Sequence, residues 1–313
     1  MLNAYNVFDR TSILIFLKML KNNSLLSLVY GILFLLLAGV FLYSKYWVWN
    51  TSIVFEYPEW NIEFSWETVP MWWKDYYNKQ RFDKEFLSAS NNLYQFYLYV
   101  KRYPIYIPYI EKALKDANIP DDFKYLPLAE SALRDDVVSS AWAGWIWQFM
   151  PETAKRYGLE INDFVDERYH FEKATWAAIE YIWDLHEKFW DWALVAAAYN
   201  RWENGLARDM QSQNVDNYYD LYLNEETSRY VFRIISIKYV MLSYFDKKAI
   251  IDKIIGGVHQ IPNTRTIQVT QIDDLASWCK EYSYSYKDIK ILNRWIISES
   301  LPEWDWDITI LLD

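Results

Sequence analysis

From about Lys74 to Phe245 the apolar residues of this chain recur at three- and four-residue spacing, and no convincing alternating segment interrupts them until "TRTIQVT", Thr264 to Thr270. Such recurrence builds one apolar face on a helix of 3.6 residues per turn, whereas a strand needs alternation by two. In "YIPYIEKALKDANI" the face is Ile107, Ile110, Leu114 and Ala117, and Pro120 closes it. "DDFKYLPLAESAL" opens on Asp121 or Asp122 as a cap and aligns Leu126, Ala129 and Leu133, with Pro127 placed to kink the first turns. "PETAKRYG" carries Pro151 at its first helical position and Gly158 past its last. "FEKATWAAIEYIWDLHEKF" aligns Ala174, Ala178, Tyr181, Ile182 and Leu185; "EETSRYVFRIISIKYVMLSYF" supplies another long helix. "DWALVAAAYN" is capped by Asp191, and its body of small apolar residues calls for close neighbours. The expectation is a mainly α fold, with a helical body over 81–255. A small α+β unit over 256–313 follows, in which "IDDLASWCKEYSYSYKDIKILNRW" reads as helix, turn and helix between "TRTIQVT" and the alternating "WDITILL". That unit is small enough that docking on the body is an alternative to independent folding.

Residues 25–43, "LLSLVYGILFLLLAGVFLY", carry no charge. Nineteen helical residues at about 1.5 Å each rise roughly 28 Å, the thickness of a bilayer core. Arg10, Lys18 and Lys21 precede the run and Lys45 follows it, a weak bias toward an inside N-terminus. No Ala-x-Ala cleavage pattern follows. These features predict a tail and an N-terminal transmembrane helix over 1–50, a juxtamembrane linker over 51–80 containing Pro58 and Pro70, and a body outside the membrane. Ser12 to Leu20 is too short to cross and is expected to lie along the surface. The bland alternative for 25–43 is a buried core helix.

Composition narrows the function. The net charge of -10 and pI near 5.0 argue against nucleic acid as a partner. One cysteine, Cys279, excludes an internal disulfide, and three scattered histidines argue against a histidine-built metal site. No metal or organic cofactor is expected. Glu130 lies at helical spacing among Leu126, Ala129 and Leu133, where a carboxylate loses hydration unless something uses it. The bland reading is a glutamate on the polar face of its helix. Tyr199 and Asn200 end the apolar rod "AAAYN", and Gln148 is the polar member of "IWQFM"; each either satisfies a helix end or faces a ligand.

The pieces "YLPLAESAL", "IWQFMPETAKRYGL" and "AAAYN" occur in this order. In sequence and spacing, they resemble the catalytic domain of soluble lytic transglycosylases, most closely the membrane-bound transglycosylase D group of bacterial peptidoglycan-cleaving enzymes. The resemblance runs from about Tyr103 to Tyr239. It implies a goose-lysozyme-like helical fold and peptidoglycan glycan strands as the partner. It implies Glu130 as the catalytic acid/base with Ser131 beside it, Gln148, Phe149 and Met150 lining the sugar cleft, Tyr199 approaching the glutamate, and Asn200 organising the cleft. The implied reaction cleaves the bond between N-acetylmuramic acid and N-acetylglucosamine and leaves a 1,6-anhydromuramic end. Hydrolysis on the same scaffold and non-catalytic wall binding are the alternatives. The implied location is the bacterial cytoplasmic membrane, single-pass, with the catalytic domain on the outer face. Toward the C-terminus, "SYSYKDIKILNRW" weakly resembles the segment that follows the catalytic domain in some of these enzymes, and glycan binding is the expectation for it.

The chain departs from that pattern at glycines. Trp142, Trp145, Trp190 and Trp202 stand where the family carries glycine, while Trp147 and Trp192 match family tryptophans. Usage of about 7% would give roughly twenty-two glycines in a chain of this length; this one has Gly 7 and Trp 18. One cause would explain both: UGA codons, which some bacteria with reduced genomes read as glycine, written as tryptophan. The rival is a divergent member with an altered cleft.

Overall fold

The helical spacing folds as helices. The computed structural model describes residues 29, 31–41, 55–58, 61–71, 75–134, 144–260 and 262–312. The chain divides into two units, Met1–Val54 and Phe55–Asp313. In the first, the described residues include a helix over 31–41. This corrects the expected anchor. Crossing a bilayer takes about twenty apolar helical residues. Among the described residues no helix is long and apolar enough to cross a membrane. The transmembrane helix, the membrane as a partner through 25–43, and the single-pass location with the body on the outer face therefore lose their support. The rest of that run (25–28, 30, 42 and 43) and the segment 12–20 lie outside the described residues.

The second unit opens with a hairpin, β1 (Glu63–Phe64) and β2 (Glu67–Thr68), within a stretch expected to be irregular. Phe64 is buried and its ring lies 5.8 Å from that of Phe123. The helices α1 (Tyr76–Asn91) and α2 (Leu93–Asp116) follow, then a 3-10 turn, Asp121–Tyr125, leads into the short α3 (Leu126–Ser131). After it come α4 (Pro151–Arg156), α5 (Phe171–Phe189), α6 (Trp192–Arg201), α7 (Glu203–Gln213), α8 (Glu225–Asp246) and α9 (Lys248–Ile255). α2 runs through Pro104 and Pro108, each of which removes a helix hydrogen bond. Val100, Ile107, Ile110 and Leu114 are buried along one side, and that packing carries the helix past both prolines.

α8 is the axis of this unit and packs against α1, α2, α3 and α6. Its side chains Tyr230, Val231, Ile234, Ile235, Val240 and Met241 are all buried. Its N-cap Asn224 accepts a hydrogen bond from the Thr227 amide at 2.9 Å. α6 presents Ala196, Ala197 and Ala198, and their small size lets it lie close to α5 and α8. Asp191 caps it, accepting from the Leu194 amide at 2.6 Å.

The C-terminal part is β3 (Thr264–Val269), α10 (Leu275–Glu281), α11 (Tyr286–Leu292) and β4 (Trp306–Leu311). β3 and β4 pair antiparallel with Ile267 opposite Ile308. Leu275, Cys279, Ile289, Trp295, Trp306 and Ile310 form its core, and Val165 from the helical body completes it. The Asp166 amide donates to the Trp295 carbonyl at 2.8 Å and the Ile297 amide to the Phe164 carbonyl at 3.0 Å, so this part is docked by backbone as well as by apolar contact.

Candidate active site

α3 is only six residues long and ends where the chemistry begins. Ala132 and Leu133 turn left-handed, at φ 58° and 55°, directly after Glu130 and Ser131. Arg102 holds this break by donating to the Ala132 carbonyl at 3.0 Å. The Ser131 hydroxyl is placed to donate to the carbonyls of Pro127 at 3.1 Å and Ile146 at 3.0 Å, so it ties α3 to the loop that follows. Glu130 lines a cavity of about 380 Å³.

The opposite rim is the turn 144–150. Gly144 and Phe149 pair as a bridge, and the Gln148 amide returns to the Trp145 carbonyl at 3.1 Å. A buried ion pair fixes the turn from behind. Arg168 binds Asp166 at 2.6 Å and donates to the Phe149 carbonyl at 3.1 Å. A side chain at Gly144 would press on that guanidinium at 3.3 Å, which explains a glycine there. Trp147 is buried, and its indole N–H donates to Thr175 on α5 at 3.1 Å.

The wall is aromatic. Tyr181 of α5 and Tyr199 of α6 have ring centroids 5.2 Å apart, and Phe149 lies 6.3 Å from each. The Tyr199 hydroxyl donates to the Trp147 carbonyl at 2.8 Å, bracing the turn, while Glu130 receives its hydrogen bond from another phenol, Tyr230 of α8. The Asn200 amide oxygen accepts from Thr227 at 2.9 Å, which ties the end of α6 to the start of α8.

Burial pushes the Glu130 carboxyl up to about 7. The Tyr230 hydrogen bond and the Arg233 charge pull it down, and the Glu226 charge adds to the rise. Burial raises the Tyr230 phenol well above its ordinary range, with Glu130 the next cause, so it stays a donor. A carboxyl held near neutrality beside a fixed donor is equipped to give and take a proton.

Of the residues singled out in the sequence, Glu130, Gln148, Phe149, Met150, Tyr199, Asn200 and Trp202 line this one cavity. Ser131 and Trp145 are buried and Trp190 closes α5; none of the three is among its lining residues. Trp142 lies outside the described residues. Sequence reasoning missed Tyr230 and Glu226. Both sit on the long helix α8, and neither spacing nor composition connects them to Glu130, 100 residues before Tyr230. Among the described residues no group of His, Cys, Asp and Glu converges to hold a metal ion.

Residues 108–221 match the Transglycosylase SLT domain family, and residues 265–305 match the Soluble lytic transglycosylase C-terminal LysM-like domain family. Over 141 residues, 44% of this chain, the sequence is 30% identical to Membrane-bound lytic murein transglycosylase D of Escherichia coli strain K12, and equally to the same protein of strain CFT073. The chain spans 31% of the length of these relatives. A solved structure of an inactive mutant of lytic transglycosylase Slt from Pseudomonas aeruginosa overlaps 45% of this chain and 24% of its own, at 17% identity and a TM-score of 0.35. Residues 108–221, which match the Transglycosylase SLT domain family and are similar at moderate identity to the lytic murein transglycosylases D, hold Glu130, the turn 144–150 and the end of α6.

Proposed function

We propose that this chain cleaves the glycan of peptidoglycan between N-acetylmuramic acid and N-acetylglucosamine, with Glu130 as the acid/base. The observation that carries the reading is the Glu130 carboxyl, raised to about 7 in an aromatic-walled cavity. At neutral pH much of it is protonated and able to protonate the leaving glycosidic oxygen. The muramic N-acetyl group supports the positive charge growing at C1. The Glu130 carboxylate then takes the proton of the sugar's own C6 hydroxyl, whose oxygen bonds to C1 and closes a 1,6-anhydro ring. An intramolecular nucleophile has a high effective concentration. Tyr230 holds the carboxylate in place, Phe149, Met150 and Tyr181 offer apolar faces to the sugar, and Gln148 and Asn200 offer amides. Ser131 and Tyr199 position the site through backbone carbonyls.

In this reading the catalytic body covers 81–255 and the unit over 256–313 holds glycan. In support, a groove of about 660 Å³ in that unit is edged by Trp278, Tyr282 and Tyr284, flat faces suited to sugar rings. Hydrolysis is the second reading, and Glu226 favours it. A second carboxylate in the cavity is a candidate to activate water. Digestion of purified sacculi separates the two, since anhydro ends are lighter by one water than hydrated ends. Glu130→Gln keeps the shape and removes the acid, so cleavage should fall by roughly 10²–10⁴ with the fold intact by circular dichroism. Retained cleavage in that variant removes Glu130 from the role.

A further inference from the structure

Among the described residues eleven non-glycine residues have positive φ, and four of them are tryptophan: Trp66 (71°), Trp145 (59°), Trp190 (54°) and Trp202 (72°). Positive φ drives the Cβ of an L-residue against its own backbone, and bulky residues rarely accept it. Aromatic character does not explain the set, because the chain has Tyr 27 and Phe 16 and none of those described has positive φ.

Each of the four occupies a glycine's place. Trp66 is the second residue of the two-residue β1–β2 turn, after Ser65 at φ 52°. Positive φ at both is the mark of a type I′ turn, which favours glycine second. Trp190 is the left-handed residue that closes α5, its amide returning to the His186 carbonyl at 2.9 Å. Trp202, between α6 and α7, combines φ 72° with ψ 132°, outside even the left-handed well open to other residues. Trp145 starts the turn that Gln148 closes.

The indoles of Trp66, Trp190 and Trp202 are 74%, 77% and 47% exposed, and Trp145 is buried with its N–H unpartnered. Three tryptophans without positive φ donate their indole N–H groups, Trp147 to Thr175, Trp183 to the Ala117 carbonyl and Trp306 to the Pro302 carbonyl, at 3.1, 2.9 and 2.8 Å.

We propose that positions 66, 145, 190 and 202 are glycine in the protein its own cell makes, through UGA codons read there as glycine, and that residue 202 thereby sets the width of the cleft. Trp66 is new to this set; only its backbone points to it. Trp202 lines the Glu130 cavity, and glycine there removes an indole from its wall. The assignment of glycine does not rest on the glycan-cleaving reading.

Peptide mass spectrometry of the protein purified from its source cell decides it. The expected masses carry glycine at 66, 145, 190 and 202 and tryptophan at 147, 183 and 306. Tryptophan at any of the first four, or glycine at any of the last three, overturns the proposal, because backbone conformation would then not sort the codons. Recombinant protein tests the physical basis without activity. Trp66→Gly, Trp190→Gly and Trp202→Gly should each raise Tm by about 2–4 °C, where Trp147→Gly lowers it. A fall in Tm for those three variants overturns the steric argument.

Discussion

The acidity of Glu130 is a balance between burial and three neighbours on α8. Tyr230, Arg233 and Glu226 face it from α8, and Tyr199 lies beside it on α6. In the proposed reaction its proton donor form is needed for cleavage, so kcat/KM should fall as pH rises through about 7. Glu226→Gln removes a negative charge that resists ionisation, and the falling limb should move to lower pH. Tyr230→Phe removes a donor that favours the carboxylate, and the limb should move to higher pH, with kcat reduced as well. The pH–rate profile of the two variants on soluble glycan checks both signs. Unmoved limbs would mean that burial alone sets this acid.

At the scale of elements, the site depends on a turn that does not hold itself. The strand-like bridge Gly144–Phe149 is a single pair, and its support is the buried Arg168–Asp166 ion pair. Arg168→Ala leaves a buried carboxylate without its partner, a change that typically destabilises by about 3–5 kcal/mol. It also frees the Phe149 carbonyl. The expectation is a lower urea midpoint together with a loss of glycan cleavage larger than the loss of folded protein explains. Full cleavage by Arg168→Ala in the folded state would show that the turn is held by other contacts. The helices around the turn were legible in sequence because their apolar faces repeat by three and four. In α2 the repeat Ile107, Ile110 and Leu114 was legible across Pro108, and the packing of Val100, Ile107 and Ile110 carries the helix past both prolines.

Across the molecule, the segment 164–169 does two jobs. Its Val165 completes the core of the C-terminal part, and its Arg168 grips the turn 144–150. Val165→Asp would bury an unpaired charge in that core, and burying one costs several kcal/mol. The C-terminal part should undock, so limited proteolysis should cut between residues 256 and 264 where the parent chain resists, and glycan cleavage should weaken through Arg168. An unchanged cleavage pattern would show that the docking does not depend on this contact.

The sequence by itself determined the mainly helical body and the small α+β part after it, because periodicity is written along the chain, and the resemblance of three separate motifs to a known family pointed to the residues that gather at the cavity. It misled at 25–43, where hydropathy reports composition while a crossing needs a continuous apolar helix of sufficient length. Only the tertiary structure decided that Tyr230, not Tyr199, donates to Glu130, that Glu226 shares the cavity, and that Val165 belongs to the C-terminal core. It also added Trp66 to the tryptophans whose backbone asks for glycine. Contacts between residues far apart in the chain, and the φ each residue is held at, arise from packing the whole body at once, and no local pattern encodes them.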